Sequence, residues 1–242
     1  MTLLLAKNAK QKNNKSHVAN NYMGFIVFCN IFNNYRIYII TVIIMQISNF
    51  FPNYMYELLK NYIAKYENEL EEIRIRVNKP IILKTSSSDV ILEYLVNSNV
   101  MIEILQRICE NSIYSYQNQI CNGYITILGG YRVGITGNVI MDNGKIVNIN
   151  NISSLNFRIS RQIINCSNFI IKDIINSNEN TIYNTLIVSP PGAGKTTILR
   201  DLIRQLSNGI GTLKGQTIGV VDERGEIAAM YKGVPQNDIG IR

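Results

Sequence analysis

Apolar residues recur with two different periods along the chain, and each period predicts a different kind of element. Between Asn53 and Leu70 they mark one face of a helix, whereas Glu71–Val77 alternates polar and apolar residues, which is typical of a half-buried strand. A further strand is expected at Ile81–Leu83. A second helix is expected over Met101–Ile108, with Ser98 as its N-cap.

The following stretch has the turn residues of β-hairpins. Gly129-Gly130 separates the apolar runs Tyr124–Leu128 and Tyr131–Thr136, and Asp142-Asn143-Gly144 separates the next two runs. Apolar and polar residues then alternate over Leu155–Ile159, which predicts another half-buried strand. These elements together predict an α+β domain.

A domain boundary is expected near residue 180. A segment predicted to be helical, Phe169–Ile175, is followed by the polar run Asn176–Asn180, which has the composition of a linker. The prediction is an α+β domain over residues 45–180 and a partial α/β domain of RecA-like type over residues 181–242.

Residues 1–44 differ in composition from the rest of the chain. A Lys/Asn-rich start precedes the apolar blocks Gly24–Phe32 and Ile37–Met45, which are separated by a polar run that includes Arg36. Three interpretations stay open: a mis-assigned start with Met45 as the true first residue, an apolar membrane anchor, or some other role. This segment carries five basic and no acidic residues of a chain with net charge +7, so the body is near neutral. A basic nucleic-acid surface is therefore not indicated.

The residues after the apolar run Thr185–Val188 have the pattern of a phosphate-binding loop. They are Ser189, Pro190, Pro191, Gly192, Ala193, Gly194, Lys195, Thr196 and Thr197. In the general pattern G-x-x-x-x-G-K-[ST], Gly194, Lys195 and Thr196 match, and Ser189 stands where the first glycine is expected.

The chemistry of a nucleoside triphosphate explains these residue types. Glycines let the backbone curve around phosphates with its N–H groups pointing inward. The helix expected from Lys195 to about Leu206 would point its positive end at them. Lys195 would reach the β- and γ-phosphates, the Thr196 hydroxyl would bind Mg²⁺, and Thr197 would contact the α-phosphate. ATP and Mg²⁺ are the expected ligands, with a ligand-free turn as the alternative.

An acidic pair follows the predicted strand Thr217–Val221. In one interpretation Asp222 binds Mg²⁺ through water and Glu223 orients the attacking water, as in a Walker B strand. In the preferred one this is the second strand of a RecA-like domain, with Glu223 as the catalytic base and Glu226 as the next candidate. A third interpretation has Asp222 and Glu223 merely capping the strand end. A short helical turn is expected over Glu226–Tyr231.

Residues 181–242 offer only about two parallel strands and one long helix, too little to cover both faces of a parallel sheet. An incomplete P-loop domain is therefore expected. The four cysteines show no metal-ligand spacing and are expected to be buried thiols, and the single histidine, His17, excludes a Ser-His-Asp triad in the body of the chain.

Several motifs together are more specific than the P-loop. They are Ser189–Thr197, Leu199–Arg204, Val220–Ile227 and Gly233–Gly240, with Leu70–Arg76, Gly129–Gly134 and Ile152–Ile159 upstream. In these runs the chain, over about residues 50–242, resembles the stage III sporulation protein AA family of endospore-forming bacteria.

The resemblance implies a motor ATPase similar to type II and type IV secretion ATPases. It implies a RecA-like domain after the α+β domain, hexameric rings, and action in the mother-cell cytoplasm, peripherally at the membrane, with membrane proteins of the channel to the forespore. Arg132, Arg158 and Arg161 are candidates to neutralise the γ-phosphate, or are simply solvent-facing arginines. The family lacks an extension like residues 1–44 and continues past Arg242 to a Walker B strand.

Three functions follow as hypotheses. The first is the ATPase subunit of a sporulation-associated export or channel complex. The second is a nucleic-acid-stimulated P-loop ATPase, which the near-neutral body disfavours. The third is a scaffold that binds ATP without hydrolysing it.

Overall fold

The computed structural model describes residues 26–27, 47, 49–66, 69–176 and 178–242. They form two compact units. The sheet unit contains the described residues from 47 to Arg161 together with Ala229–Gln236, and the P-loop unit contains Gln162–Ala228, Asn237–Arg242 and residues 26–27. Apart from residues 26–27, the interpretations of residues 1–44 lie outside the described residues.

The sheet unit is built on six antiparallel strands. They are β2 (Leu70–Arg76), β3 (Pro80–Thr85), β4 (Asp89–Leu95), β5 (Tyr124–Thr126), β6 (Arg132–Asp142) and β7 (Lys145–Arg158). Their order across the sheet is β4-β3-β2-β7-β6-β5. Strand β4 was not predicted from the sequence. It is one of the two edge strands, and two large apolar side chains, Ile91 and Leu95, remain exposed on it.

Among the described residues of this unit are the α-helices α1 (Asn53–Lys65), α2 (Ser98–Ile108) and α3 (Gln117–Cys121), with a 3₁₀ helix at Ile113–Tyr116 directly before α3. Helix α1 buries Met55, Leu59 and Ile63 at four-residue spacing, as the apolar period predicted, but it ends well before Leu70, which begins β2. The N-cap of α2 is Asn97 and not Ser98, because the Asn97 side chain accepts the Val100 N–H at 3.0 Å.

Both predicted hairpins are present. β5 pairs with β6 across Gly129-Gly130, and β6 pairs with β7 across Asn143-Gly144, which both have positive φ. At Gly130 a side chain would not fit, because φ is +74° and a Cβ would lie 2.8 Å from the Ala229 Cβ. On the core face of the sheet, the rings of Phe51 and Phe157 lie 5.0 Å apart, both fully buried.

The P-loop unit is organised around its long helix. Its elements are β1 (Ile26–Val27), α4 (Ile171–Ile174), β8 (Ile175–Asn176), β9 (Thr181–Ile182), β10 (Leu186–Ile187), α5 (Lys195–Asn208), β11 (Gly209–Ile210) and β12 (Leu213–Lys214). β1 pairs with β10 in parallel. The apolar face of α5 packs with side chains of α4 and β12 in one buried cluster.

The units divide at residues 161–162 and not near residue 180. The physical reason is a buried cluster in which Ile170, Ile171 and Ile174 pack with Ile198 and Leu202 of α5. The polar run 176–180, predicted as the linker, therefore lies inside the P-loop unit, where β8 and β9 form a short hairpin around it. Helix α4 is shorter than the predicted helix over 169–175.

Two predictions near the end of the chain are wrong. Residues 217–221 are not a strand, and residues 226–231 are not a helical turn. In their place a turn at residues 222–225 leads to the short antiparallel pair β13 (Met230–Tyr231) and β14 (Val234–Pro235). The described residues include too few partners for a strand at 217–221 to join a sheet, and a strand needs paired neighbours for its backbone groups.

The β13–β14 pair belongs to the sheet unit through its side chains. The Tyr231 hydroxyl donates to the Glu110 carboxylate, and the Lys232 ammonium contacts the same carboxylate. The Gly129 N–H donates to the Gln236 side-chain oxygen at 3.0 Å. None of the helices in the described part of the chain has the length and apolar composition needed to cross a membrane.

Candidate functional site

The loop between β10 and α5 has the backbone shape that its glycines predicted. Gly192 and Gly194 have φ of 77° and 88°, which residues with a Cβ rarely adopt. A Cβ at Gly192 would meet no atom within 4 Å, so the space beside the loop is open. The loop therefore exposes its backbone to a ligand at this point.

Lys195 is the first residue of α5, and its ammonium bends back over the start of the loop. It donates to the Ser189 carbonyl at 2.7 Å, the Ser189 hydroxyl at 3.2 Å and the Pro190 carbonyl at 3.0 Å. These acceptors are neutral, and an ammonium bonds more strongly to an anionic oxygen. Lys195 is thus placed to exchange neutral acceptors for the oxygens of a phosphate beside the loop.

The start of α5 adds further donors. Ile198 is the first residue whose N–H bonds back to the loop, donating to the Gly194 carbonyl at 3.0 Å. The N–H groups of Lys195, Thr196 and Thr197 lie in the first turn, where a helix has no internal acceptor for them. Together with the helix dipole they make this end of α5 suitable for an anion.

Helix α5 also carries a buried carboxylate that the sequence did not single out. Asp201 is 1% exposed. Its Oδ1 accepts the Asn165 N–H at 2.9 Å and the Arg204 Nε and Nη2 at 3.0 and 2.7 Å. Its Oδ2 accepts the Ser167 N–H at 2.8 Å, the Ser167 hydroxyl at 2.6 Å and the Gln205 amide at 2.9 Å.

This network ties residues 165–167 to the P-loop helix. Burial acts to raise the pKa of Asp201, but the hydrogen bonds from Ser167, Arg204 and Gln205 outweigh it and hold the pKa below its ordinary value. The carboxylate is therefore ionised at neutral pH. Asp201 lies on the polar face of the amphipathic helix α5, and a polar face is ordinarily solvated, so no local pattern in the sequence indicated that this carboxylate is buried.

Arg200 is a second buried charge on α5. It is 5% exposed, and its guanidinium donates to the carbonyls of Ile227 at 2.9 Å and Glu226 at 2.6 Å. Burial lowers its pKa, while the nearby carboxylates of Asp222 and Glu226 act in the opposite direction. Arg200 thus fixes the backbone of the acidic turn relative to the P-loop helix.

Asp222 is used by the turn itself. Its Oδ1 accepts the Glu226 N–H at 2.9 Å, and its Oδ2 accepts those of Ile227 and Ala228 at 2.9 and 3.2 Å. This geometry is the capping role that one interpretation assigned to Asp222, at a turn and not at a strand end. Glu223 is exposed and Glu226 is half-buried.

Of the two candidate metal ligands, Thr196 is better placed than Asp222 to bind Mg²⁺. Mg²⁺ at nucleotide sites keeps several waters and takes only one or two protein oxygens besides the phosphates. Thr196 lies half-buried in the first turn of α5, next to Lys195. Within the described ranges no group of three or more His, Cys, Asp or Glu side chains is arranged to hold a metal ion.

The three candidate arginines all have partners within the sheet unit. Arg132 and Arg158 face each other across β6 and β7. The Arg132 guanidinium lies 3.9 Å from the centre of the Tyr124 ring, and Arg161 donates to the Leu70 carbonyl at 2.7 Å. Their role toward a γ-phosphate stays a prediction.

The cysteines lie outside this set of candidate ligands, although one of them contacts the loop. The Cys166 thiol donates to the Thr197 carbonyl at 3.6 Å. Burial, and then the nearby charge of Asp201, raises the pKa of Cys166 to about 12. Cys109 is fully buried, and burial raises its pKa to about 11. Both are therefore thiols at neutral pH, and Cys121 is half-buried.

Comparison with known proteins covers most of the chain. The stage III sporulation protein AA of Bacillus subtilis (strain 168) is 37% identical over 197 residues, which are 81% of this chain and 63% of that protein. The chain thus spans somewhat under two thirds of the length of this relative. The uncharacterized protein ycf45 of Cyanidium caldarium is 38% identical over 78 residues, 32% of this chain and 21% of that protein.

Among solved structures, that of the Legionella pneumophila ATPase DotB aligns with a TM-score of 0.38 and 14% identity, over 66% of this chain and 43% of that chain. At that level the likeness carries no argument about this chain. The family model described as sporulation stage III, protein AA, in contrast, matches residues 44–242. The chain therefore belongs to the sporulation stage III, protein AA family.

Proposed function

We propose that this protein binds ATP with Mg²⁺ at loop 189–197 and serves as the ATPase subunit of a sporulation-associated export or channel complex. One observation carries the nucleotide part. Lys195 begins α5 with its ammonium over the loop, and the loop glycines hold positive φ beside open space. A lysine, a curved backbone and a helix start converging on one point suit a polyphosphate and not a neutral ligand.

The residues of the chain take separate roles in this proposal. Lys195 and the backbone N–H groups of 192–197 bind and orient the phosphates, and Thr196 supplies an oxygen to the metal. Bound Mg²⁺ neutralises charge on the phosphate oxygens. Glu223, exposed on a turn that Arg200 and Asp222 hold in place, accepts the proton of the attacking water.

Family membership supports the cellular part of the proposal. In this part of the proposal the intact protein forms a hexameric ring and works in the mother-cell cytoplasm at the membrane surface. Its partners are membrane proteins of the channel. The proposal does not require the protein to bind nucleic acid. All these statements concern the whole protein, of which this chain spans part of the length.

A second candidate function is ATP binding without hydrolysis. The position of Asp222 favours it, because both carboxylate oxygens are occupied by backbone N–H groups of its own turn. In that case the Asp222 carboxylate orders the turn, and Lys195 and Thr196 still bind the nucleotide.

Measuring ATP affinity and phosphate release for the chain and its Lys195→Ala variant tests the proposal. Loss of an ammonium–phosphate bond, worth about 1.5–3 kcal/mol, should weaken ATP binding tenfold to a hundredfold. Lys214→Ala, at an exposed lysine of the same unit, is the matched control and should bind ATP as the unchanged chain does. Equal ATP affinity for the Lys195→Ala variant would overturn the nucleotide site.

Phosphate release then separates the two functions. Turnover that is lost in both Lys195→Ala and Glu223→Gln supports the ATPase with Glu223 as base. ATP binding that needs Lys195 but brings no phosphate release supports the binding function for this chain.

A further inference from the structure

The β6–β7 hairpin continues beyond the sheet as a two-stranded arm, residues 138–149. Its register places Val139 opposite Ile149 and Met141 opposite Ile146, and directly opposed residues share a face of the ribbon. These four apolar side chains therefore share one face of the arm, although the register shifts between Ile140 and Met141 and leaves Val147 without a partner in the opposite strand. Val139, Met141 and Ile146 are 50%, 61% and 43% exposed.

The opposite face of the arm is mainly polar. There Ile140 lies opposite Asn148, and Asp142 lies opposite Lys145. A lone two-stranded ribbon is marginally stable in water, and an exposed apolar face on it indicates a surface that another molecule covers.

A cavity of about 620 Å³ lies at the base of the arm, between β7 and the helices α2 and α3. Its apolar wall includes Ile102, Leu105, Ile113, Tyr114, Ile120 and Ile149, and serine, asparagine and glutamine side chains complete the lining. Two of these side chains are widely exposed, Tyr114 at 93% and Ile102 at 50%. Ile149 belongs both to this groove and to the apolar face of the arm, so the two surfaces are continuous.

The position of the arm beside the groove is held by hydrogen bonds. The Gln117 side chain of α3 donates to the Val147 carbonyl at 2.7 Å and to the Asn148 side-chain oxygen at 3.1 Å. The arm is therefore a fixed projection, and its shape is available before any partner arrives, which lowers the entropic cost of docking.

We propose that the groove receives the arm of a second copy of this chain. The apolar face of the arm and the apolar wall of the groove lie side by side on one unit. A second copy therefore offers a groove for the arm of the first and an arm for its groove. Such a contact is isologous, because the same two surfaces meet in both directions across a two-fold axis.

Charge and area both favour this occupant. None of the described residues that line the cavity is charged, which disfavours an acidic peptide, a nucleic acid or an anionic membrane. The apolar face of the arm exposes roughly 300 Å², comparable with the largest patch of an ordinary monomer. When each arm lies in the groove of the other copy, both surfaces are covered twice, and the buried total is on the order of 1,000 Å², the size of a weak and reversible interface. The proposal does not depend on nucleotide binding.

The test compares two aspartate substitutions on the same arm. Met141→Asp places a charge on the apolar face, and Ile140→Asp places one on the opposite face of the same strand. Self-association is measured by light scattering and sedimentation equilibrium from about 1 to 100 μM chain. Met141→Asp should raise the dissociation constant of the assembly by about tenfold or more, whereas Ile140→Asp should leave it nearly unchanged. Circular dichroism confirms that both variants keep the fold.

Cross-linking tests the pairing itself. Chains with Met141→Cys are mixed with chains carrying Ile102→Cys and oxidised, and a disulfide-linked pair should form in the mixture far faster than in either variant alone or in the unchanged chain. A chain that stays monomeric at the highest concentration would overturn the proposal. So would equal effects of Met141→Asp and Ile140→Asp, or Met141-dependent binding of a monomeric chain to phosphatidylcholine–phosphatidylglycerol vesicles.

Discussion

Replacing Asp201 by Asn keeps the shape of the side chain and removes only its charge and one acceptor. The carboxylate accepts six hydrogen bonds, three at each oxygen, from four residues. An asparagine presents an NH₂ group in place of one oxygen, and that group meets donors. In either orientation at least one backbone N–H loses its acceptor, either that of the buried Ser167 or that of Asn165 at the edge of the site.

The magnitude follows from those losses. A buried N–H without an acceptor costs about 1–3 kcal/mol, and the Arg204 bonds lose their charge-assisted part. Because Asp201 is 1% exposed and the Arg204 side chain is 12% exposed, solvent compensates little. The sum is about 3–5 kcal/mol, comparable with removing one partner of a buried ion pair, and a large fraction of the stability of a domain.

Urea denaturation followed by circular dichroism measures the loss, and hydrogen exchange shows where it falls. We expect faster exchange at residues 165–176 and in α5, with the sheet unit unaffected. Glu103→Gln is the control, because it removes a solvent-exposed ion pair of α2 with Arg107 and should cost under about 0.5 kcal/mol. A loss below about 1 kcal/mol for Asp201→Asn would refute the reasoning.

The pH dependence has a definite sign. The folded pKa of Asp201 lies below its ordinary value, so its contribution to stability is fully present above about pH 4 and is lost as the pH falls through the folded pKa. The variant, which has no such group, should show a flatter loss of stability below about pH 4.

Two further predictions concern the sheet core and a thiol. Phe157→Ala removes a fully buried ring that packs on Phe51 and should lower the free energy of unfolding by about 3–5 kcal/mol in urea denaturation. Phe169→Ala, at a ring that is 44% exposed, is the comparison. Similar losses for both variants would contradict the assigned core. Cys166, with its pKa raised to about 12, should react with iodoacetamide at pH 8 at least about a hundredfold more slowly in the folded chain than in urea, as followed by mass spectrometry. Comparable rates in the two conditions would show that folding does not raise the pKa of this half-buried thiol.

Local patterns in the sequence predicted the features whose physical cause is local. A run of glycines with Lys and Thr at the start of an amphipathic helix predicts the loop at 189–197, because positive φ and helix spacing depend on neighbouring residues only. The turns at Gly129-Gly130 and Asn143-Gly144 were predicted for the same reason. The family could also be inferred from such runs, and the match over residues 44–242 confirmed it.

Predictions failed where an element depends on distant partners. The apolar run 217–221 has the composition of a strand, but a strand forms only where neighbours accept and donate its backbone hydrogen bonds. The boundary near residue 180 was placed on a polar run, whereas the observed division at 161–162 follows from apolar side chains packing on α5. No local pattern reveals which cluster such a segment will join.

The sequence by itself thus determined the backbone shape of the loop at 189–197, the hairpin turns and the family, since each depends on a few adjacent residues. Only the tertiary structure decided the role of the charged side chains of α5. Asp201 and Arg200 are ordinary polar residues of a helix until residues 165–167 and 226–227 fold against them. A hydrogen bond between residues more than 25 positions apart exists only once packing has brought donor and acceptor together and excluded water, which is information that spacing along a chain does not contain.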